Sequence, residues 1–479
     1  MTTEVIAWLL ATGFALIELL AIGAALHAVM TTRTSQGAIA WSIALITFPF
    51  LTLPLYVVFG RNKFDGYIDA RRTGDRALER IAPRLRLDEI RPICAPISAE
   101  EGHLEALQRL GEVPFLCGND VQLLIDGAAT FDSIFAGIER AESYVLVQFF
   151  IIRDDATGRA LQQRLVDKLH QGVRVFLLYD AIGSHGLGTQ YLEDLRQAGA
   201  EVRAFMSSAA RVRRFQVNFR NHRKIVVVDG KQAWIGGHNV GDEYLGKHPT
   251  LSPWRDTHVQ IAGPATLAAQ LAFSEDWFWA AQQVLPDLRW QPHASAANQR
   301  VLVLPMGPAD PLDSCELHFV QAIAAARSRV WIVSPYFVPD ASVISALQLA
   351  VLRGVDVRVL LPDRPDHLLV YLAGFSYLRE TVAAGVKLYR YAPGFLHQKV
   401  MLVDDGLAMV GTANLDNRSF RLNFEISAVV ADRAFAGAVE RMLERDFAQA
   451  TPVGVEDYEQ RAFPFRAAVR IARLLAPVL

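Results

Sequence analysis

One nine-position pattern occurs twice in this chain, 175 residues apart, and it limits the architecture more than any other feature. The first copy is Asn221-His-Arg-Lys-Ile-Val-Val-Val-Asp229 followed by Gly236-Gly-His-Asn239. The second is His397-Gln-Lys-Val-Met-Leu-Val-Asp404 followed by Gly411-Thr-Ala-Asn414. Both read His, x, Lys, four residues, Asp, six residues, Gly, a small residue, x, Asn. The four residues before each Asp are apolar and mostly branched, so they predict a strand. Strand alternation predicts that His and Lys, two apart, share a face. The Gly and small residue predict close approach of backbone to a ligand. A lone histidine in a strand is usually a satisfied core residue, but that explanation does not produce the same pattern twice.

The repeat extends upstream of the motifs. Residues 136–152 match 321–338, residues 171–180 match 353–363, and residues 197–202 match 382–387. Each unit reads helix, buried strand, helix, strand, helix, strand. Continuous apolar strands alternating with helices predict an α/β fold with mixed sheets flanked by helices. The long period predicts two duplicated lobes forming one catalytic unit, not a solenoid. The expected divisions are a two-helix membrane hairpin over 1–61, a helical linker over 62–118, a first lobe over 119–297, a second over 298–455, and a basic amphipathic segment over 456–479.

The residue types point to phosphate chemistry. Lys224 and Lys399 carry charge, and Asn239 and Asn414 carry amide donors, so together they can hold and neutralise a phosphoryl group. His222 and His397 can divide nucleophilic and acid–base work. Lysine charge takes the place of a metal, so neither metal nor cofactor is expected. A nucleophilic histidine needs a carboxylate on its far nitrogen, and each motif has one downstream: Asp256 after the first, Glu425 after the second. Asp229 and Asp404 complete the motifs at strand ends and are read as structural or orienting groups, not as acids.

Two apolar runs precede the repeat, at residues 5–30 and 38–59, each longer than the roughly 18 residues that mark a spanning helix. A cleaved signal peptide is disfavoured, since Met1-Thr-Thr-Glu4 has no basic region and a second run follows at once. Pro49 and Pro54 predict a kink in the second helix. Glu18 is expected to be protonated or to face the second helix or another subunit. Arg61, Lys63, Arg71 and Arg72 follow the second run while the connecting loop has only Arg33, which predicts that the catalytic part faces the cytoplasm. The 48 basic and 50 acidic residues nearly cancel, which counts against a nucleic-acid partner. Cys94, Cys117 and Cys315 are widely spaced and predict reduced thiols.

At the motif residues the chain resembles the phospholipase D superfamily, whose signature is this duplicated HKD motif, and within it the bacterial cardiolipin synthases. The resemblance also rests on Tyr179-Asp-Ala-Ile-Gly-Ser184, Ser334-Pro-Tyr-Phe-Val-Pro-Asp340, Asn414-Leu-Asp-Asn-Arg-Ser419 and Arg421-Leu-Asn-Phe-Glu425. It covers nearly the whole chain. Thr412 departs from the serine common there but keeps the hydroxyl. The resemblance implies a multi-pass enzyme of the bacterial inner membrane that converts two phosphatidylglycerol molecules to cardiolipin and glycerol. It implies His222 as nucleophile, through a phosphohistidine, and His397 as general acid and base. A homo-oligomer is compatible with it. A hydrolase using water, or a transferase using another lipid such as phosphatidylethanolamine, would carry the same motifs.

Other features are less decisive. Arg211-Val-Arg-Arg214 with Arg220 reads as a lipid-phosphate contact or a solvated loop. His238, His248 and His258 lack metal-ligand spacing. His367 and Arg418 have both structural and headgroup-contact readings. Residues 461–479 interleave arginines with large apolar residues, which fits either an anionic interface or a helix packed on the protein.

Overall fold

The computed structural model describes residues 3–60, 64, 67, 97–98, 101–205 and 218–479. Two compact units result, Met1–Gly66 with Ser208–Phe219, and Tyr67–Ser207 with Arg220–Leu479.

In the smaller unit the first apolar run is a single helix, Thr3–Thr31, and its span Glu4–Thr31 is long and apolar enough to cross a membrane. The second run is not the single kinked helix expected. It forms two helices, Ser35–Thr47 and Pro49–Phe59, each too short to span alone. The chain leaves helical geometry at Phe48, because the ring of Pro49 excludes the helical conformation from the residue before it. Thr52 Oγ1 donates to the Ala44 carbonyl at 2.7 Å and also to that of Phe48, which ties the two short helices together across the break. Thr34 caps the second helix at Gly37 N. His27 Nδ1 and the Tyr56 hydroxyl, 2.7 Å apart, tie the helices together. Glu18 is exposed on the first helix and does not face the second.

The larger unit is built on one 16-stranded sheet among the described residues. In the first lobe Tyr144–Phe149, Arg174–Tyr179 and Glu201–Ala204 run parallel, as the helix–strand alternation requires. Ile225–Val228, Gln232–Gly236 and Thr257–Ala262 extend the sheet antiparallel to the strand Leu116–Ile125. The second lobe repeats the order. Arg329–Val333, Asp356–Pro362 and Lys387–Tyr391 are parallel, and Val400–Val403, Leu407–Gly411 and Asn423–Ala431 lead antiparallel to Gln299–Met306. The lobes meet edge to edge where Leu116–Ile125 pairs antiparallel with Gln299–Met306, Leu116 opposite Val301. The duplication thus hides both inner sheet edges in one another.

Helices such as Asp126–Glu139 and Ala156–His170 cover the sheet, and each lobe keeps its own apolar core. Val145, Val147, Val226 and Trp234 sit in one, and Ile332, Val359, Met401 and Val429 in the other. Of the linker expected over 62–118, the helix Gly102–Gly111 is described, and most of the remainder lies outside the described residues, as does Arg211-Val-Arg-Arg214. The expectation of three reduced thiols fails at Cys117, which is disulfide-bonded; Cys315 is buried and free.

Candidate active site

Each His-x-Lys triplet bridges two strand segments instead of lying within one. The strand Ile225–Val228 begins just after Lys224, and Val400–Val403 just after Lys399. The segment before each triplet crosses to the other lobe. Arg220–Asn221 pairs parallel with Asn423–Phe424, and Phe395–Leu396 pairs parallel with Trp254–Arg255. The bridging continues through the histidines themselves: His222 N donates to the Phe424 carbonyl at 2.9 Å, and His397 N to that of Arg255 at 2.8 Å. Each histidine is therefore placed beside the residue that follows, Glu425 in one case and Asp256 in the other.

The dyads are crossed as a consequence. His222 Nδ1 lies 2.9 Å from Glu425 Oε2, and His397 Nδ1 lies 2.7 Å from Asp256 Oδ2. This corrects the expectation that each downstream carboxylate serves its own motif. A carboxylate acceptor sets the Nδ1–H tautomer, which leaves Nε2 as the reactive nitrogen. Both carboxylates are fully buried. Glu425 also accepts from Thr412 Oγ1 at 2.5 Å, Ser419 Oγ at 2.8 Å and Asn423 Nδ2 at 3.1 Å, whereas Asp256 adds only Thr257 N at 2.8 Å among the described residues. Burial alone would raise the Glu425 carboxyl; His222, Lys224 and Thr412 outweigh it and hold it below the usual carboxylate range.

The two lysines are buried, and each donates to its own histidine carbonyl, Lys224 Nζ at 2.7 Å and Lys399 Nζ at 2.5 Å. Burial pushes Lys224 well below the usual lysine value and Lys399 down to about 8, against the pull of Glu425 and Asp256. Burial likewise puts His222 at about 4, with Glu425 opposing and Lys224 assisting. His397 is pushed well down by burial, Lys399, Lys224 and His222, so the two motifs lie within each other's field. Four basic groups and two carboxylates share this buried site, and an entering anion would oppose the burial that deprotonates the four.

Asp229 and Asp404 sit in the left-handed region, at φ 53° and 50°. The Asp229 carboxylate accepts from Glu142, Ser143 and Tyr144 backbone N–H groups, and Asp404 from Arg327, Ser328 and Arg329. Each thus fixes the start of the strand beside its motif, remote from any proton transfer. The glycines do not open the backbone to a ligand, as expected from the sequence. A Cβ on Gly237 would sit 2.0 Å from Asp256 Oδ1, and one on Gly236 would sit 2.5 Å from the His258 Cα. They make room for the dyad and the neighbouring strand. Asn239 accepts from Ile151 N at 3.1 Å and donates to the Tyr244 hydroxyl at 2.9 Å. Asn414 Oδ1 is buried without a hydrogen-bond partner among the described residues.

Two further carboxylates escape motif reading. Asp276, on the helix Thr266–Ala281, accepts from Arg223 Nη1, Asn221 Nδ2, Gln148 Nε2 and the Tyr67 hydroxyl, all within 3.0 Å. Arg223 Nε in turn donates to the Glu425 carbonyl at 3.1 Å. Asp446, on the helix Arg433–Ala448, takes a two-pronged contact from Arg255 at 2.9 Å and one from Gln398 Nε2 at 2.8 Å. Each carboxylate thereby holds the neighbours of one histidine and of its partner. Both are an Asp followed by an aromatic residue, Trp277 or Phe447, but they stand 54 and 49 residues beyond His222 and His397, outside the shared motif spacing.

The remaining histidines divide as follows. His238 and His258 are buried with Nδ1 atoms 3.3 Å apart, and burial pushes both to about 3. His248 Nδ1 accepts from Thr250 N and Leu251 N and shapes a turn. His367 is exposed at the rim of a pocket with Tyr336, Asp366 and Arg390. Arg418 N donates to the Leu479 carbonyl.

Comparison with known proteins agrees with this layout. The family described as Cardiolipin synthase, PLD-like domain matches residues 134–266 and 319–447, one copy per lobe. The family described as Phospholipase D-nuclease N-terminal matches residues 19–61. Cardiolipin synthase A of Pseudomonas putida is 53% identical over 473 residues, covering 97% of each chain, and that of Pseudomonas fluorescens is 51% identical with the same coverage. The crystal structure of phosphatidylserine synthase from Haemophilus influenzae superposes with a TM-score of 0.60 at 16% identity, over 79% of this chain and 100% of the other. At that identity the likeness shows the fold.

Proposed function

The chain belongs to the cardiolipin synthase, phospholipase D-like family and is a membrane-associated phosphatidyltransferase, and from that premise we propose that it joins two phosphatidylglycerol molecules into cardiolipin and glycerol. The observation that carries the reading is the crossed pair of dyads, which needs both lobes to make either half of one site.

In the proposed first half-reaction His222 Nε2 attacks phosphorus. The bond to the terminal glycerol oxygen breaks, and that oxygen takes the proton of His397 Nε2 and leaves as glycerol. The phosphatidyl group is then held on His222. In the second half-reaction the glycerol hydroxyl of another phosphatidylglycerol returns a proton to His397. Its oxygen attacks phosphorus, and the phosphorus–nitrogen bond breaks to release cardiolipin. The low value of His222, about 4, keeps it unprotonated and nucleophilic at neutral pH. Its denser carboxylate network favours His222 over His397 for the covalent role. The phosphodiester anion opposes the burial that deprotonates His397, so substrate arrival supplies the acid. Lys224 and Lys399 neutralise the non-bridging oxygens, with Nδ2 of Asn239 and Asn414 as donors beside them. Asp256 and Glu425 hold the imidazoles, Asp229 and Asp404 fix the strands behind them, and the reaction uses no metal.

We place the protein as a multi-pass component of the bacterial inner membrane. In this reading the two short apolar helices Ser35–Thr47 and Pro49–Phe59 together supply the second pass. The basic residues after Gly60 support a catalytic part on the cytoplasmic side. The disulfide at Cys117 favours the opposite side, since disulfides persist in oxidising compartments. Reaction of Glu444→Cys with a membrane-impermeant thiol reagent in intact cells decides between them: protection supports the cytoplasmic side, and labelling reverses it.

The activity test uses purified full-length protein in micelles whose lipid is labelled phosphatidylglycerol, with chelator present. Equal cardiolipin and glycerol, abolished by His222→Ala, supports the synthase reading. Phosphatidic acid without cardiolipin would replace it with a hydrolase.

A further inference from the structure

The helix Phe463–Leu474 is apolar on two opposite faces. One face is used within the protein: Val469 and Ala472 are buried, and Phe465 packs edge-on against Phe375 in the second-lobe core. The other carries bulky apolar groups into solvent, with Phe463 75%, Ile471 64% and Leu474 78% exposed. At about 100° per residue these three and Ala467 fall within roughly 80° of arc, a single stripe along the helix. A helix merely packed on a protein presents a polar outer face, so this stripe requires an apolar partner.

The charges beside the stripe identify that partner. Arg466, Arg470 and Arg473 line one border of it, and residues 461–479 hold four arginines and no acidic residue. Arg473 lies over the Tyr377 ring at 5.4 Å, while no side-chain hydrogen bond or ion pair among the described residues holds Arg466 or Arg470. An apolar stripe bordered by cations on one side matches the boundary between acyl chains and anionic headgroups. A second copy of the chain would bring the same arginines against one another.

We propose that this face of the C-terminal helix docks into the headgroup region of an anionic bilayer, a second membrane attachment besides the N-terminal apolar helices. The attachment bears on the site. The Leu479 carbonyl accepts from Arg418 N at 2.9 Å, and the next residue, Ser419, donates from Oγ to Glu425 at 2.8 Å. The segment that follows the docking helix thus braces the short helix Asn417–Arg421, which in turn holds the carboxylate behind His222.

The test places a spin label at Leu474→Cys in the full-length protein, with Glu444→Cys as a solvent reference. The two variants are compared in discs of phosphatidylcholine and in discs of equimolar phosphatidylcholine and phosphatidylserine. Phosphatidylserine is an anionic lipid outside the proposed reaction, so failure here is separable from failure of the phosphatidylglycerol reading. The label at 474 is expected to become accessible to oxygen and shielded from a polar nickel reagent in the anionic discs only. Replacing Arg466 and Arg470 with Ala is expected to lower the docked fraction on the order of fivefold per arginine. Three results overturn the proposal: water-like accessibility in both discs, equal shielding in both, or dipolar broadening between labels on two copies in place of lipid contact.

Discussion

Glu425 from the second lobe holds Nδ1 of His222 in the first at 2.9 Å, and the reciprocal contact joins Asp256 to His397 at 2.7 Å. Removing either charge should therefore impair the histidine of the other lobe. Glu425→Gln is expected to slow formation of the phosphatidyl-enzyme by on the order of 10³. Asp256→Asn should slow proton transfer by a similar factor while covalent enzyme still accumulates. Rapid-quench trapping of labelled phosphatidyl-enzyme distinguishes them. If Asp256→Asn were the variant that fails to label, the histidine roles would be reversed.

Gly237 tests the same geometry without touching substrate. A methyl there would meet Asp256 Oδ1 at 2.0 Å and its Cγ at 2.7 Å, so the carboxylate must swing away from His397. Gly237→Ala should reproduce the kcat loss of Asp256→Asn with little change in KM, as expected for a group that acts through another. A fully active Gly237→Ala enzyme would show that Asp256 is free to relax and that the 2.7 Å contact is dispensable.

The sequence made the motifs, the lobes and both carboxylates legible, because each leaves a local mark. An apolar run before an Asp marks a strand, and a repeated spacing marks a duplicated unit. The crossing left no such mark. It arises from two-residue strands, Arg220–Asn221 and Phe395–Leu396, that pair with the opposite lobe, and partner choice in so short a strand is set by tertiary packing. The glycines were misassigned for a related reason. A glycine beside a catalytic histidine suggests ligand approach, yet here it admits a side chain from a strand that pairs with its own. Asp276 and Asp446 were missed because their role depends on helices whose register against the motifs only the fold supplies.

The alkaline limb of activity should include the titration of Lys399. Burial lowers it to about 8 in the free enzyme, so it is charged below that pH and neutral above. A neutral lysine cannot attract a phosphodiester anion, so kcat/KM should fall about tenfold per pH unit above about 8. The bound anion favours the ammonium form, so the limb in kcat should lie higher. Lys399→Arg keeps its charge throughout, and its kcat/KM should be lower in magnitude and fall less steeply across this range, Lys224 being the other buried lysine held below its usual value. A limb that persists unchanged in Lys399→Arg would assign the titration to another group.

Arg255 and Asp446 form the buried two-pronged pair behind the His397 dyad, with Gln398 on the same carboxylate. Removing Arg255 strands Asp446 in a dry interior, which typically costs about 3–5 kcal/mol, whereas removing Asp446 leaves the guanidinium its contact with Asp126 Oδ1 at 2.9 Å. Arg255→Met should therefore lower the thermal midpoint of the detergent-solubilised protein clearly, as Asp446 loses both prongs, and Asp446→Asn should lower it less. The double variant Arg255→Met with Asp446→Leu leaves no buried charge unpaired, so it should be more stable than Arg255→Met alone. It should nonetheless remain slow, because Arg255 precedes Asp256 and Gln398 follows His397, and neither would be held. Recovery of stability without recovery of kcat is the expected signature. Recovery of both would mean that the pair contributes to folding alone, and that the cross-lobe strand pairing suffices to align the dyad.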